Sequence, residues 1–422
     1  MIEVPIWLLV LMGAAIVALG LMLWGNLRER EADVKVPDIT NLEEALGSIA
    51  GMTQSTIVGG NSVEVLQNGD EFFPALFNDI KQARETVHFE TYVWWEGDIC
   101  GEFARAMSAK AREGLEVRLQ LDALGAMKIK KEFVEMMKEA GVRLSFYRPF
   151  RLSELGMLNT RTHRKIAVFD ARVAYLFGHG IARQWTGDGQ DGEHWRDTGV
   201  RLKGPVVNSV QSVFADNWVE QTAEVLVGPK YFPEPEKAGD IRVHVSGSSP
   251  KGGISTLEIM FKLTVASAQK ELFISNPYFI PDYDVCELLS HAVERGVDVR
   301  IMVPGPYNDS KLVKHAGHRY FGELLEKGVK IYEHQKTLIH QKIMVVDGLW
   351  SHVGSTNLDD RSFDINDEVS MGIIDEGIAS QLRAAFEEDM ESCVELKAES
   401  WHRRPVWHRT VDWFCYQFNE QL

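Results

Sequence analysis

His163-Arg164-Lys165-Ile166-Ala167-Val168-Phe169-Asp170 and His340-Gln341-Lys342-Ile343-Met344-Val345-Val346-Asp347 spell one pattern twice, H-x-K-x4-D. The run between Lys and Asp is apolar and rich in β-branched or aromatic residues, which reads as a buried strand. Side chains two apart on a strand share a face, so each octet is expected to set an imidazole beside an ammonium. A lone H-x-K is commonly an exposed strand pair. Two octets that close equivalent units are a different matter.

Working outward, the same order of elements leads into each octet. The first follows the strand pattern Val87–Trp94, then Glu113-Gly114-Leu115-Glu116-Val117-Arg118-Leu119, then Glu139-Ala140-Gly141-Val142-Arg143-Leu144. The second follows Leu272–Phe279, then Glu294-Arg295-Gly296-Val297-Asp298-Val299-Arg300, then Glu326-Lys327-Gly328-Val329-Lys330-Ile331. Helical patterns that end at Gly before β-branched runs indicate βα units and a mixed or largely parallel sheet. One such junction occurs in any α/β chain; the ordered series points to an internal duplication.

The 422 residues carry 45 Lys+Arg against 61 Asp+Glu, a net charge of −16, with 45% hydrophobic and 25% charged residues. That is globular usage, not that of a disordered or fibrous chain. The length suits two or three domains with sizeable cores. An acidic balance argues against a nucleic-acid partner, although it permits a local cluster of positive charge. Cys100, Cys286, Cys393 and Cys415 lie far apart with no CxxC or zinc spacing. Neither a disulfide framework nor a metal ribbon is expected, and a reducing compartment is.

Ile6–Trp24 holds no charge over nineteen residues. At about 1.5 Å per residue it matches one hydrocarbon thickness. Pro5 suits a helix start, and Trp7 and Trp24 bracket the run as interfacial aromatics do. A cleaved signal peptide would need positive charge before the run, where only Glu3 stands. One transmembrane helix is therefore expected. Arg28, Arg30 and Lys35 follow it and place the remaining chain in the cytosol. Residues 32–60 read as a linker with at most one short helix.

Brought together, the two octets give two His and two Lys around one anion, with the small polar turn Gly354-Ser355-Thr356-Asn357 close behind the second. That set suits a phosphodiester. Lysines neutralise the phosphate oxygens, one His attacks phosphorus, and the other protonates the leaving oxygen. No metal or cofactor is needed. Zinc ligation is the alternative use of paired His, but no Cys or carboxylate stands at zincin-like spacing.

At these residues the chain resembles the phospholipase D superfamily, and within it the bacterial cardiolipin synthases, over about residues 60 to 410. Further matching strings are Asn68-Gly69-Asp70-Glu71, Glu90-Thr91-Tyr92, His194-Trp195-Arg196-Asp197-Thr198, Asn276-Pro277-Tyr278-Phe279, Gly354 to Phe363, and Asn366-Asp367-Glu368. The resemblance implies an α/β fold of two phospholipase D-like βα-sandwich halves. A pseudo-two-fold axis relates them, and the single N-terminal transmembrane helix precedes them. The expected division is 1–31 anchor and flank, 32–60 linker, 61–235 first half, 236–398 second half, and 399–422 a basic aromatic C-terminal helix. The catalytic motif set is His163, Lys165, Asp170, His340, Lys342 and Asp347. By analogy His163 is the nucleophile and His340 the acid/base, while the two motif aspartates are structural. Asp197 and Glu368 would orient the imidazoles. Ser355 and Asn357 would bind phosphate, together with the backbone of Gly178 and Gly180.

The first half departs from the family pattern. Phe177, Gly178 and Gly180 stand where the second half has Gly354, Ser355 and Asn357, with His179 between the glycines, and Gly199 follows Trp-Arg-Asp-Thr where the family often has His. The implied activity is phosphatidyl transfer through a phosphohistidine, as in making cardiolipin and glycerol from two phosphatidylglycerols, at the inner face of a bacterial cell membrane. Hydrolysis by water is the alternative at the same site. A nuclease and a catalytically silent lipid-binding protein are the alternatives from other classes. Two further segments bear on a lipid substrate. Tyr147–Asn159 combines Phe150, Leu152, Leu155, Met157 and Leu158 with Arg148 and Arg151, beside Arg161. It is either a lip for acyl chains or a loop packed on the core. Trp401–Leu422 places Trp407, Val411, Phe414, Cys415 and Phe418 at helical spacing beside Arg403, Arg404 and Arg409. It is either an interfacial helix or a docked terminal one.

Overall fold

The apolar tails of the two octets form strands, and the hairpins that follow them are alike. The computed structural model describes Gly13 and residues 34–37, 39–150, 159–249 and 255–421. The strands are β1 (Val58–Gln67), β2 (Thr86–Thr91), β3 (Glu116–Asp122), β4 (Arg143–Tyr147), β5 (Ile166–Phe169), β6 (Val173–Phe177) and β7 (Thr198–Lys203). Then come β8 (Ile241–Ser248), β9 (Glu271–Ser275), β10 (Asp298–Pro304), β11 (Lys330–His334), β12 (Ile343–Val346), β13 (Trp350–Gly354), β14 (Glu368–Ile374) and β15 (Cys393–Glu395). They make one sheet in the order β15-β11-β10-β9-β12-β13-β14-β8-β1-β7-β6-β5-β2-β3-β4. Read outward from the β1–β8 junction, the seven strands of the first half and the first seven of the second follow the same path, and β15 adds an eighth beyond β11. β2, β3 and β4 are parallel, as are β9, β10 and β11, and the octet strands β5 and β12 run antiparallel to β2 and β9. The duplication is thus a repeat of topology as well as of motif.

Alternation along the strands sorts side chains into layers. Ala167, Phe169, Tyr175 and Phe177 face an outer core of the first half with Phe72 and Phe103 from the helices Asn68–Gln82 and Asp98–Arg112. Ile166, Val168, Ala174 and Leu176 face the other way. They meet Ile343, Val345, Val353 and Val369 of the second half in one shared core, which the helices Val206–Thr222 and Glu376–Met390 complete. Met344 and Val346 face the outer core of the second half with Phe261 and Leu289. The two halves are therefore joined by apolar burial and not by strand pairing alone.

Several expectations need correction or detail. The one helix within residues 32–60 packs on the fold. Asn41 caps a helix, Leu42–Met52, by accepting a hydrogen bond from the Glu44 amide at 3.0 Å. Leu42 and Leu46 bury in the outer core of the second half, and β1 already begins at Val58. The opening strands stop at Thr91 and Ser275, short of Trp94 and Phe279. The C-terminal segment is two helices, Ala398–His402 and Val406–Tyr416, because Pro405 lacks the N–H that would continue the first. The expected transmembrane span lies outside the described residues. Among the described residues no helix is long and apolar enough to cross a membrane. Most of the expected lip, 151–158, also lies outside them. At its edges Phe150 is exposed, whereas Arg148 pairs with Glu220 and Arg161 lies 3.8 Å from Asp122.

Candidate active site

The two H-x-K segments lie just ahead of β5 and β12, not within them. Short backbone bridges across the halves hold them there. Thr162 pairs with Asp367, and Ile339 with Arg196. The His163 amide donates to the Asp367 carbonyl at 2.8 Å, and the His340 amide to the Arg196 carbonyl at 2.7 Å. Each His is thereby registered against the residue that follows its bridge partner, which is a carboxylate of the opposite half.

The side chains use that register. His163 Nδ1 lies 2.9 Å from Glu368 Oε1, and His340 Nδ1 lies 2.7 Å from Asp197 Oδ2. Glu368 belongs to the second half and Asp197 to the first, so the pairs are crossed. With Nδ1 engaged, Nε2 of His163 is left for chemistry, while Nε2 of His340 lies 3.2 Å from Lys342 Nζ. Lys165 Nζ donates to the His163 carbonyl at 2.8 Å, and Lys342 Nζ to the His340 carbonyl at 2.5 Å. Tyr92 stands edge-on to His163, whereas Trp185 and Trp195 both pack on His340.

Burial sets the protonation states. It pushes the His163 imidazole down to about 4 against the pull of Glu368, and His340 down to about 3, with Lys342 adding to the effect. Burial favours the neutral acid at both carboxylates, but the facing imidazoles and lysines outweigh it and hold them ionised, Asp197 far below its ordinary range. Burial lowers Lys165 to about 7, with Lys342 a further cause, and lowers Lys342 to about 8, opposed by Asp197. Lys342 acts on His163 and Lys165 acts on His340, so the two pairs share one electrostatic site. Burial thus disfavours charge on both imidazoles and both lysines, while each imidazole–carboxylate contact favours the ion pair. An incoming phosphate anion would favour the protonated form of each lysine and imidazole.

The remaining sequence-picked residues divide. Asn357 is buried, and its Oδ1 has no hydrogen-bond partner among the described residues. The Ser355 hydroxyl donates to Glu368 Oε2 and so braces a carboxylate. Gly178 and Gly180 are both closely packed. The Gly178 amide already donates to the Thr198 carbonyl at 3.3 Å, and a Cβ there would sit 2.1 Å from Asp197 Oδ1. Gly180 is packed between Trp185 and Val93. The motif aspartates bind backbone amides at the start of the neighbouring strand. Asp170 accepts amides of Arg84, Glu85 and Thr86 at 2.7–2.9 Å, and Asp347 those of Gln269, Lys270 and Glu271 at 2.7–3.1 Å. Both sit in left-handed turns beyond the far ends of β5 and β12, where they tie each hairpin to the neighbouring strand. At the departure after Asp197, Gly199 lies against the Phe72 ring, on which His179 stacks at 4.1 Å.

Sequence reasoning missed Trp185 and Arg164. Arg164 is buried and reaches the Glu368, Val213 and Ser248 carbonyls at 2.9–3.3 Å. It lies inside the octet, where its pairing across the halves leaves no trace in spacing. Among the described residues one other trio, His315, His318 and Asp412, gathers metal-type ligand atoms within 4.8 Å. Its Asp412 is already paired with Arg404 at 3.1 Å, and the trio pins the helix Val406–Tyr416 onto the helix Lys311–Gly317.

The chain is similar to known proteins. A family model described as "Cardiolipin synthase, PLD-like domain" matches residues 76–209 and 262–390, one match in each half. A protein named "Probable cardiolipin synthase YwiE" from Bacillus subtilis is 35% identical over 367 residues, which cover 86% of this chain and 72% of that one. "Cardiolipin synthase 2" of Bacillus cereus is 34% identical over 350 residues, 82% of this chain and 68% of that one. Among solved structures, the phosphatidylserine synthase of Haemophilus influenzae aligns with a TM-score of 0.68 at 14% identity, covering 88% of this chain and 98% of that one, which is a likeness of fold. Twice-matched halves and relatives aligned over most of their length place this chain in the phospholipase D superfamily, in its cardiolipin synthase-like branch.

Proposed function

We propose that this chain is a phosphatidyltransferase that makes cardiolipin. The observation that carries the reading is the pair of crossed imidazole–carboxylate contacts with two buried lysines at one site. The relatives' printed names give the reaction class. His163 Nε2 attacks the phosphorus of a phosphatidylglycerol, the bond to the head-group oxygen breaks, and His340 gives that oxygen its proton so that glycerol leaves. A hydroxyl of a second phosphatidylglycerol then gives its proton to His340, its oxygen attacks phosphorus, and the P–N bond breaks. Glu368 and Asp197 fix the tautomers and stabilise whichever imidazole becomes cationic. Lys165, Lys342 and Asn357 bind the phosphoryl oxygens.

The substrate's two acyl chains call for access from a bilayer. The span at Ile6–Trp24 would supply an anchor, with the catalytic part on the cytoplasmic side. The helix Val406–Tyr416 supplies a second contact, since Val406, Trp407, Trp413 and Phe414 are all exposed on it. Its far end is tied to the site's approach: Asn159 donates to Gln421 at 2.8 Å and Asn419 to Asp360 at 2.6 Å.

Labelled phosphatidylglycerol supplied to the purified chain, with products identified by mass, tests the reading. Cardiolipin and glycerol are expected. Phosphatidic acid as the sole labelled product would make the site a hydrolase.

A further inference from the structure

The two carboxylates that hold the imidazoles are held by different devices. Strand register sets the correspondence. Phe169 faces Val173 across the β5–β6 hairpin as Val346 faces Trp350 across β12–β13, so Gly178 corresponds to Ser355. Phe177 faces Gly199 as Gly354 faces Ser370, so Asp197 corresponds to Glu368. In the second half the Ser355 hydroxyl reaches Glu368 Oε2. In the first half no side chain fits at position 178, because Asp197 Oδ1 lies 2.1 Å from where a Cβ would be. The bracing donor comes from elsewhere. Trp185 Nε1 donates to Asp197 Oδ2 at 2.8 Å, and the Thr198 amide donates to Oδ1 at 2.8 Å. Trp185 is buried, its ring stands edge-on to His340 at 5.1 Å, and Asn68 binds the Asp197 amide at 3.2 Å from the other side.

We propose that Trp185 is a positioning residue for the transfer reaction, its indole N–H holding the Asp197 carboxylate in line with His340. Gly178, Trp185 and Asp197 together do in the first half what Ser355 and Glu368 do in the second. This rests on the reading of His340 as the proton donor and acceptor at the site. Oδ2 is shared between the indole N–H and the imidazole, so Trp185 sets both the carboxylate's direction and how much of its charge reaches the ring. A hydroxyl can rotate, whereas an indole cannot. The carboxylate facing His340 is thus more rigidly aimed than the one facing His163.

The test is W185F in the full chain, assayed for transfer across pH. Losing one hydrogen bond to a charged group should lower kcat about tenfold and leave KM within about twofold. The carboxylate, freed of a competing donor, should bind the imidazolium more strongly, so the alkaline limb of the kcat profile, where His340 loses its proton, should move to higher pH. Replacement of Trp185 by 3-benzothienyl-alanine keeps the ring's shape and removes only the N–H. It should give the same shift, and it serves where W185F does not fold. An unmoved limb in the benzothienyl variant, whatever its rate, overturns the inference. Full transfer by H340A would instead sink the histidine chemistry, which keeps the two failures apart.

Discussion

The second half lines its side of the site with Ser355 and Asn357 and a long carboxylate, Glu368. The first half has a close-packed glycine turn, a short carboxylate, Asp197, and the indole of Trp185. Yet His163 Nδ1 to Glu368 and His340 Nδ1 to Asp197 differ by only 0.2 Å, 2.9 against 2.7 Å. Duplication has kept the relation that the chemistry needs, an imidazole registered by a backbone bridge against a carboxylate of the other half. It has let the support behind that carboxylate diverge. Neither half owns a complete imidazole–carboxylate pair, so neither is expected to catalyse alone.

The largest effect should come from the imidazoles. H163A and H340A should each reduce transfer by at least about 10³-fold, since both steps use both rings. Their difference sharpens the comparison: labelled phosphatidyl group should accumulate on H340A protein and not on H163A. Accumulation on H163A would exchange the two roles. Next, D197N and E368Q should each cost roughly 10³-fold by losing tautomer control, and each should behave like loss of the His in the opposite half. A variant that mimicked loss of the His in its own half would break the crossed assignment.

The pH dependence is a smaller effect. Burial holds Lys165 near 7 and Lys342 near 8, so both are charged below those values and neutral above them. As pH rises through 7 to 8 the free enzyme loses positive charge at the phosphate site, and kcat/KM should fall. K165A should remove the lower part of that fall, and a profile identical to wild type would show that Lys165 is not its source. The smallest change in catalysis should come from the hairpin ties. D170N and D347N each weaken three hydrogen bonds from backbone amides. Each should lower stability by about 1–3 kcal/mol, read as a fall in Tm, with kcat of the folded protein unchanged. A large loss of kcat in either would return that aspartate to the site.

Much of the site was legible because its residues sit in short strings whose order repeats. His163, Lys165, His340 and Lys342 stand out for that reason, and Asp197 and Glu368 stand in strings like those of the family. Gly178 misled, because a glycine that opens space for a ligand and a glycine that makes room for a neighbouring carboxylate look alike in sequence. Trp185 was silent, since an indole seven residues beyond the turn gives no periodic signal. The one short helix allowed in the connector is Leu42–Met52, whose apolar residues, Leu42 and Leu46, declare a buried face without declaring which half covers it.

By itself the sequence determined the duplicated βα order, the apolar octet strands and the two imidazole–ammonium pairs. These follow from local periodicity and from the residue types that phosphoryl chemistry requires. Only the tertiary structure decided that each imidazole takes its carboxylate from the other half, that Ser355 and Trp185 are matched braces, and that Asp170 and Asp347 hold hairpins. The crossed pairs join residues 205 and 143 positions apart, the hairpin ties residues 76 to 86 apart, and the braces depend on which neighbour fills the space beside each carboxylate. A shared apolar core brings them about, and no local pattern encodes its register.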